Sequence, residues 1–125
     1  MNSPRPMTVV IVDDDPAVCS SLKFSLELEG FLVRAYGSAA ELLEAGELDN
    51  CDCFVVDQRM PGLPGMDLIA KLRSQKILTP AILLVSNPAG AALSAQAAKG
   101  GIPIVEKPLL GNALVDTIRR ARRSD

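Results

Sequence analysis

The chain has 125 residues, enough for one domain with a modest core, and 48% apolar with 22% charged residues argues against disorder. It contains no histidine, which rules out a Ser-His-Asp triad, a His-ligated zinc site and a phosphohistidine within these residues. A formal net charge of −2 speaks against a polybasic nucleic-acid binder, and no apolar run approaches the ~20 residues of a transmembrane helix. Aromatics are only 3%, so the core must be aliphatic. The N-terminal Met-Asn-Ser-Pro-Arg-Pro has no apolar signal-peptide core, and a cytoplasmic, non-membrane protein is expected.

Residues 1–6 read as a loose arm. Val9-Val10-Ile11-Val12 is a short β-branched run, followed by Asp15-Pro16, an N-cap with Pro at the first helical position. Val18, Leu22 and Leu26 recur every four residues, and Gly30 closes that helix. Residues 31–36, Phe-Leu-Val-Arg-Ala-Tyr, are mixed and suit an edge strand ended by Gly37. Ser38-Ala-Ala-Glu41 is a capping box that opens a short helix through Leu42 and Leu43. Then come Cys53-Phe54-Val55-Val56, a helix from Met66 to Ser74, and Ala81-Ile82-Leu83-Leu84-Val85. An alanine-rich helix over Ala89 to Lys99, the run Ile102-Pro103-Ile104-Val105 and a helix carrying Leu110, Leu114 and Ile118 complete the chain, with residues 120–125 fraying.

The runs are apolar without alternation, which suits parallel strands buried on both faces. Five β–α alternations predict an α/β sandwich with right-handed crossovers. Cys19, Cys51 and Cys53 lack metal-ligand spacing. With no basic residue beside them, they read as small apolar side chains rather than a redox pair. The arginines at 119, 120, 122 and 123 read as a solvated, dipole-favoured last helical turn rather than a nucleic-acid patch.

Four of the core runs are each followed closely by a reactive polar residue. Asp13 and Asp14 follow Val12, Asp57 follows Val56, Ser86 follows Val85, and Lys107 follows Val105 after Glu106. In an open parallel sheet these positions lie at the carboxyl edge, where ligands bind. Asp15 reads as a helix cap, and taken singly Asp14, Ser86 and Lys107 would each read as a cap, turn or surface-loop residue. The joint placement of Asp14, Ser86 and Lys107 after successive strands is what points to a site. If the first and third strands are neighbours, three carboxylates converge and repel unless a hard divalent cation such as Mg²⁺ neutralises them. Lys107 and Ser86 supply a positive charge and a hydroxyl for a transferring phosphoryl group, and Asp57 can be its nucleophile without a base.

The segments Ile11-Val-Asp-Asp-Asp-Pro-Ala-Val18, Val55-Val-Asp-Gln-Arg-Met-Pro-Gly62 with Gly65-Met-Asp-Leu68, and Val105-Glu-Lys-Pro-Leu109 resemble the response-regulator receiver domains of two-component signalling. The resemblance covers residues 7–122, leaving 1–6 as an arm and 123–125 as a tail. The pattern Ser21-Leu…Gly30-Phe with Tyr36-Gly-Ser-Ala is similar to the FixJ-like group, whose receivers commonly precede a helix-turn-helix domain. The resemblance implies a CheY- and flavodoxin-like doubly wound sheet of five parallel strands in the order 2-1-3-4-5. It implies Asp57 as phosphoacceptor, Asp14 as direct ligand of Mg²⁺ (or Mn²⁺), the Arg59 backbone carbonyl as another and Asp13 as a ligand through water. It further implies Lys107 as the lysine that pairs with the phosphate, Ser86 as the switch hydroxyl and a cis Lys107–Pro108 bond. The implied partner is a sensor histidine kinase, with a homodimer through the face formed by the fourth helix, fifth strand and fifth helix. On that resemblance no nucleic acid is expected to bind this domain alone, and it is expected to be a signalling phosphoacceptor, not an enzyme, that catalyses only its own phosphorylation and dephosphorylation.

Three departures stand out. The aromatic switch position three residues before the lysine holds Ile104. The stretch after Ser86 reads Asn87-Pro88-Ala89-Gly90, and the segment to Lys107 is about one residue short of the family pattern. A haloacid-dehalogenase-like hydrolase needs a second Asp two residues after the nucleophile, where Arg59 stands. The competing expectation is a phosphorylation-independent pseudo-receiver or stand-alone interaction module.

Overall fold

The computed structural model describes residues 5–46, 48–86, 89–109 and 112–123. The elements are β1 (Thr8–Val12), α1 (Pro16–Leu28), β2 (Leu32–Tyr36), α2 (Ala39–Ala45), β3 (Cys53–Asp57), α3 (Gly65–Ser74), β4 (Ala81–Val85), α4 (Ala91–Lys99), β5 (Ile104–Glu106) and α5 (Ala113–Arg123). All pairings are parallel and the strand order is β2-β1-β3-β4-β5, as expected from the family resemblance.

Strand periodicity builds two cores. Val10, Val12, Phe54, Val56 and Leu83 face one side of the sheet and meet Leu42, Leu68, Ile69, Leu72 and Ala97 of α2, α3 and α4. Val9, Ile11, Val55, Ile82 and Leu84 face the other and meet Leu22, Leu26, Leu114 and Ile118 of α1 and α5. Successive strand side chains alternate faces, so a strand with helices on both sides must be apolar throughout. β3 and β4 are accordingly buried at every position.

Local signals set the helix starts. Asp15 caps α1, its carboxylate accepting from Ala17 N–H at 2.9 Å. Ser38 Oγ accepts from Glu41 N–H at 3.1 Å, and Glu41 reaches back to Gly37 N–H at 3.0 Å rather than to Ser38. Two strands start later than their apolar runs. The Phe31 N–H is taken by Leu26 O at the end of α1, so β2 begins at Leu32. The Ile102 N–H is taken by Ala97 O, and Pro103 has no N–H, so β5 begins at Ile104. Asn87, Pro88 and Leu110 lie outside the described residues, as do residues 1–4 and 124–125.

The Arg119 guanidinium lies 5.4 Å above the Phe31 ring and 3.3 Å from Glu29, tying α5 to the turn after α1. All three cysteines are free. Cys51 packs against one core and Cys53 belongs to the other, so the sheet separates them. Burial pushes their thiols up to about 11 and about 12 respectively. These are packed apolar groups, as the sequence predicts.

Candidate functional site

β1 and β3 are hydrogen-bonded neighbours, with Val12 beside Val56. The residues after their ends therefore emerge together. Asp13, Asp14 and Asp57 each offer a carboxylate oxygen, and these oxygens lie within 4.8 Å of one another. Asp13 and Asp57 are buried, whereas Asp14 is exposed. The cis Lys107–Pro108 bond follows β5, and Lys107 Nζ reaches Asp13 Oδ2 at 3.0 Å and Asp57 Oδ1 at 3.2 Å. The first contact is a hydrogen bond. The second is close enough for an ion pair but is not aligned as a hydrogen bond, so Asp57 Oδ1 is buried with no hydrogen-bond partner among the described residues. Asp13 is better served, since its Oδ1 also accepts from Asp15 N–H at 3.0 Å.

The electrostatics follow from that packing. Burial, reinforced by the Asp13 charge, raises the Asp57 carboxyl above its usual range even though Lys107 pulls it down. Burial alone would depress Lys107, but its hydrogen bond to Asp13 and the Asp57 and Asp13 charges more than compensate, and its net shift is upward. One lysine thus pairs with two buried carboxylates, with the exposed Asp14 beside them.

A cleft of about 490 Å³ at this edge is lined by Asp13, Asp14, Asp57, Arg59, Ser86 and Lys107, with Met60 and Pro61. Ile104 alone among the sequence-predicted residues stands elsewhere. It borders a second pocket of about 490 Å³ between β5, α4 and α5, among Ala89, Ser94, Ala113 and Thr117.

The donor set fits a hard divalent cation. It comprises clustered carboxylate oxygens, one of them buried without a donor, beside an exposed loop carrying the Arg59 carbonyl. Soft ligands take no part, because the cysteines lie outside this cluster.

Two contributors escape a reading of the sequence. Gly65 abuts the back of Asp57, where a Cβ would stand 2.4 Å from the Asp57 carbonyl oxygen. Gln58 stitches the loop between β3 and α3. Its N–H donates to Leu84 O at 2.9 Å, its carbonyl accepts from Gly65 N–H at 3.1 Å, and its Oε1 accepts from Met66 N–H at 2.8 Å. The signal available was Pro64, a helix N-cap whose side chain has no acceptor, so the cap must come from elsewhere.

Comparison with known proteins shows the family. The family model "Response regulator receiver domain" matches residues 9–119. The C4-dicarboxylate transport transcriptional regulatory protein DctD of Pseudomonas aeruginosa is 37% identical over 114 residues, covering 90% of this chain and 24% of that protein. The transcriptional regulatory protein FixJ of Azorhizobium caulinodans is 34% identical over 117 residues, covering 93% of this chain and 55% of its own length. This chain thus spans about half of FixJ and a quarter of DctD. The crystal structure of FixJ-N superposes with a TM-score of 0.83 at 31% identity, covering 96% of each chain. The matched span takes in both strand ends that carry the acidic cluster, the β3–α3 loop and Lys107, and the chain belongs to the response-regulator receiver domain family.

Proposed function

We propose that Asp57 is the phosphoacceptor of this receiver domain and that phosphoryl uptake there controls an output carried outside these residues. The observation that supports it is the convergence of Asp13, Asp14 and Asp57 with Lys107 and Ser86 on one cleft. The receiver domain comprises residues 7–122. Receiver domains are generally Mg²⁺-dependent and draw phosphoryl groups from histidine kinases. With no histidine of its own, this chain depends on a donor elsewhere. FixJ and DctD are transcriptional regulators, so a transcriptional output is the reading their likeness favours. A cytoplasmic location fits such a partner, and among the described residues no helix is long and apolar enough to cross a membrane.

The ionised Asp57 carboxylate attacks phosphorus directly. A P–O bond forms, the P–N bond of the donor breaks, and its electron pair leaves on the imidazole nitrogen. No base is needed. Lys107 Nζ, already 3.2 Å from Asp57 Oδ1, remains beside the new phosphoryl oxygens and offsets their charge. Ser86 lines the same cleft and offers its hydroxyl to those oxygens. Asp14, Asp57 and the Arg59 carbonyl would hold Mg²⁺, with Asp13 acting through water. Bound there, the cation supplies charge neutralisation for the carboxylates and the transferring group.

The test is incubation with acetyl phosphate and Mg²⁺, read by intact mass and peptide mapping. One phosphoryl group on Asp57, lost in Asp57→Asn and in EDTA, is expected. No uptake by the wild type, or undiminished uptake by Asp57→Asn, overturns the reading.

A further inference from the structure

Helix α3 starts without a cap of its own. Its N-cap is Pro64, which makes no side-chain hydrogen bond to the helix. The first N–H groups of a helix have no intrahelical acceptor and must find one elsewhere. Here one residue meets two of them. The Gln58 backbone carbonyl takes the Gly65 N–H and its side-chain Oε1 takes the Met66 N–H. The Gln58 N–H, in turn, is fixed to Leu84 O of β4. Gln58 is thus bonded at its N–H, its carbonyl and its side chain.

Position makes this more than a helix cap. Gln58 stands between Asp57 and Arg59, so its three bonds hold the peptide units on both sides of it. Behind Asp57, α3 packs so closely that a Cβ added at Gly65 would stand 2.4 Å from the Asp57 carbonyl oxygen. We propose that Gln58 is a positioning residue for the metal site, its side-chain amide locking the β3–α3 loop so that the Arg59 carbonyl and the Asp57 carboxylate face one cation. The proposal rests on the receiver-site reading above. Partners that orient a ligand typically contribute 10–100-fold to metal affinity, as an order of magnitude. One side-chain hydrogen bond acting through a loop places Gln58 at the lower end.

Cap and clamp can be separated. Gln58→Met keeps length and removes the acceptor. Adding Pro64→Ser to it gives α3 a local cap oxygen but no tie to β3. Each chain is measured for urea stability and, by titration calorimetry without phosphodonor, for Mg²⁺ affinity. Gln58→Met is expected to bind Mg²⁺ about tenfold more weakly. Gln58→Met with Pro64→Ser should recover stability while its Mg²⁺ affinity stays low, and it carries the comparison if the single variant does not fold. Unchanged Mg²⁺ affinity in the double variant, or affinity restored along with stability, overturns the positioning role. A wild type that binds no Mg²⁺ overturns the site reading beneath it, whereas Mg²⁺-dependent phosphoryl uptake by the wild type confirms that reading independently of Gln58.

Discussion

Gly65→Ala puts the packing behind the acceptor to a direct test. Gly65 opens α3, and its φ is not in the left-handed region, so alanine meets no torsional objection. Helix propensity favours the change by at most about 1 kcal/mol, its value in a helix interior, since Gly65 is the first helical residue. Space forbids it. An added Cβ would lie 2.4 Å from the Asp57 carbonyl oxygen, 2.9 Å from its carbon and 2.9 Å from Leu83 Cδ1. The nearest obstacle is backbone, pinned by the pairing of Asp57 with Leu84 and by the Gln58 N–H on Leu84 O. Leu83 is fully buried and cannot swing into solvent. Overpacking against so fixed a neighbour belongs at the upper end of its usual range, about 3 kcal/mol. Subtracting the propensity gain leaves a loss of about 2 kcal/mol. For a chain of this size that lowers Tm by about 8 °C, and it lowers the urea midpoint by about 1 M at constant m. Gly90→Ala, at an N-cap with nothing within 4 Å, is the control and should stay within about 1 kcal/mol of wild type. A Gly65→Ala chain as stable as wild type, or more so, would mean that propensity governs here and that the contact with Asp57 is slack.

Asp57→Asn should stabilise the metal-free chain by about 1 kcal/mol, because repulsion among carboxylates this close is a few kcal/mol before Lys107 offsets part of it. Urea denaturation in EDTA reads this, Mg²⁺ should narrow the gap by binding the wild type, and a destabilised variant would refute it. Ile104→Tyr should cost less than about 1 kcal/mol in the same assay, because the adjoining pocket is edged by Ala89, Ser94, Ala113 and Thr117. A much larger loss would show that the pocket does not admit a ring. Cys51 and Cys53 should react slowly with a disulfide reagent in native protein at mildly alkaline pH, and all three thiols promptly in denaturant. Their folded pKa values are raised from 9.0 to about 11 and about 12, so the stability they contribute is held below the unfolded value and lost as pH climbs past it. Rapid native labelling of Cys53 would contradict its burial.

The sheet was legible because burial on both faces leaves an unmistakable trace. Val9 to Val12 and Ala81 to Val85 are apolar at every position, and each supplies alternate side chains to opposite cores. Strand ends were less so, since they depend on competition for N–H groups. Phe31 and Ile102 are as apolar as their neighbours, yet helix-terminal carbonyls claim them before the sheet can. The edge position of β2 showed in its mixed composition, and its outer residue Leu32 is exposed.

The site divides along the same line. Asp13, Asp57, Ser86 and Lys107 could be placed from sequence because each stands at or just past a strand end, and parallel order carries those ends to one edge. Gln58 and Gly65 could not, because what they do depends on α3 folding back onto β3, a contact between residues eight apart that no periodicity encodes. The departure at Ile104 takes its meaning from the same geometry. Ile104 borders a pocket on α4 and α5, while the acidic cleft lies between the ends of β1, β3 and β5. The pocket that Ile104 borders shares none of the cleft's aspartates. What the departure at Ile104 alters is the face of β5, α4 and α5, where it borders a pocket edged by Ala89, Ser94, Ala113 and Thr117.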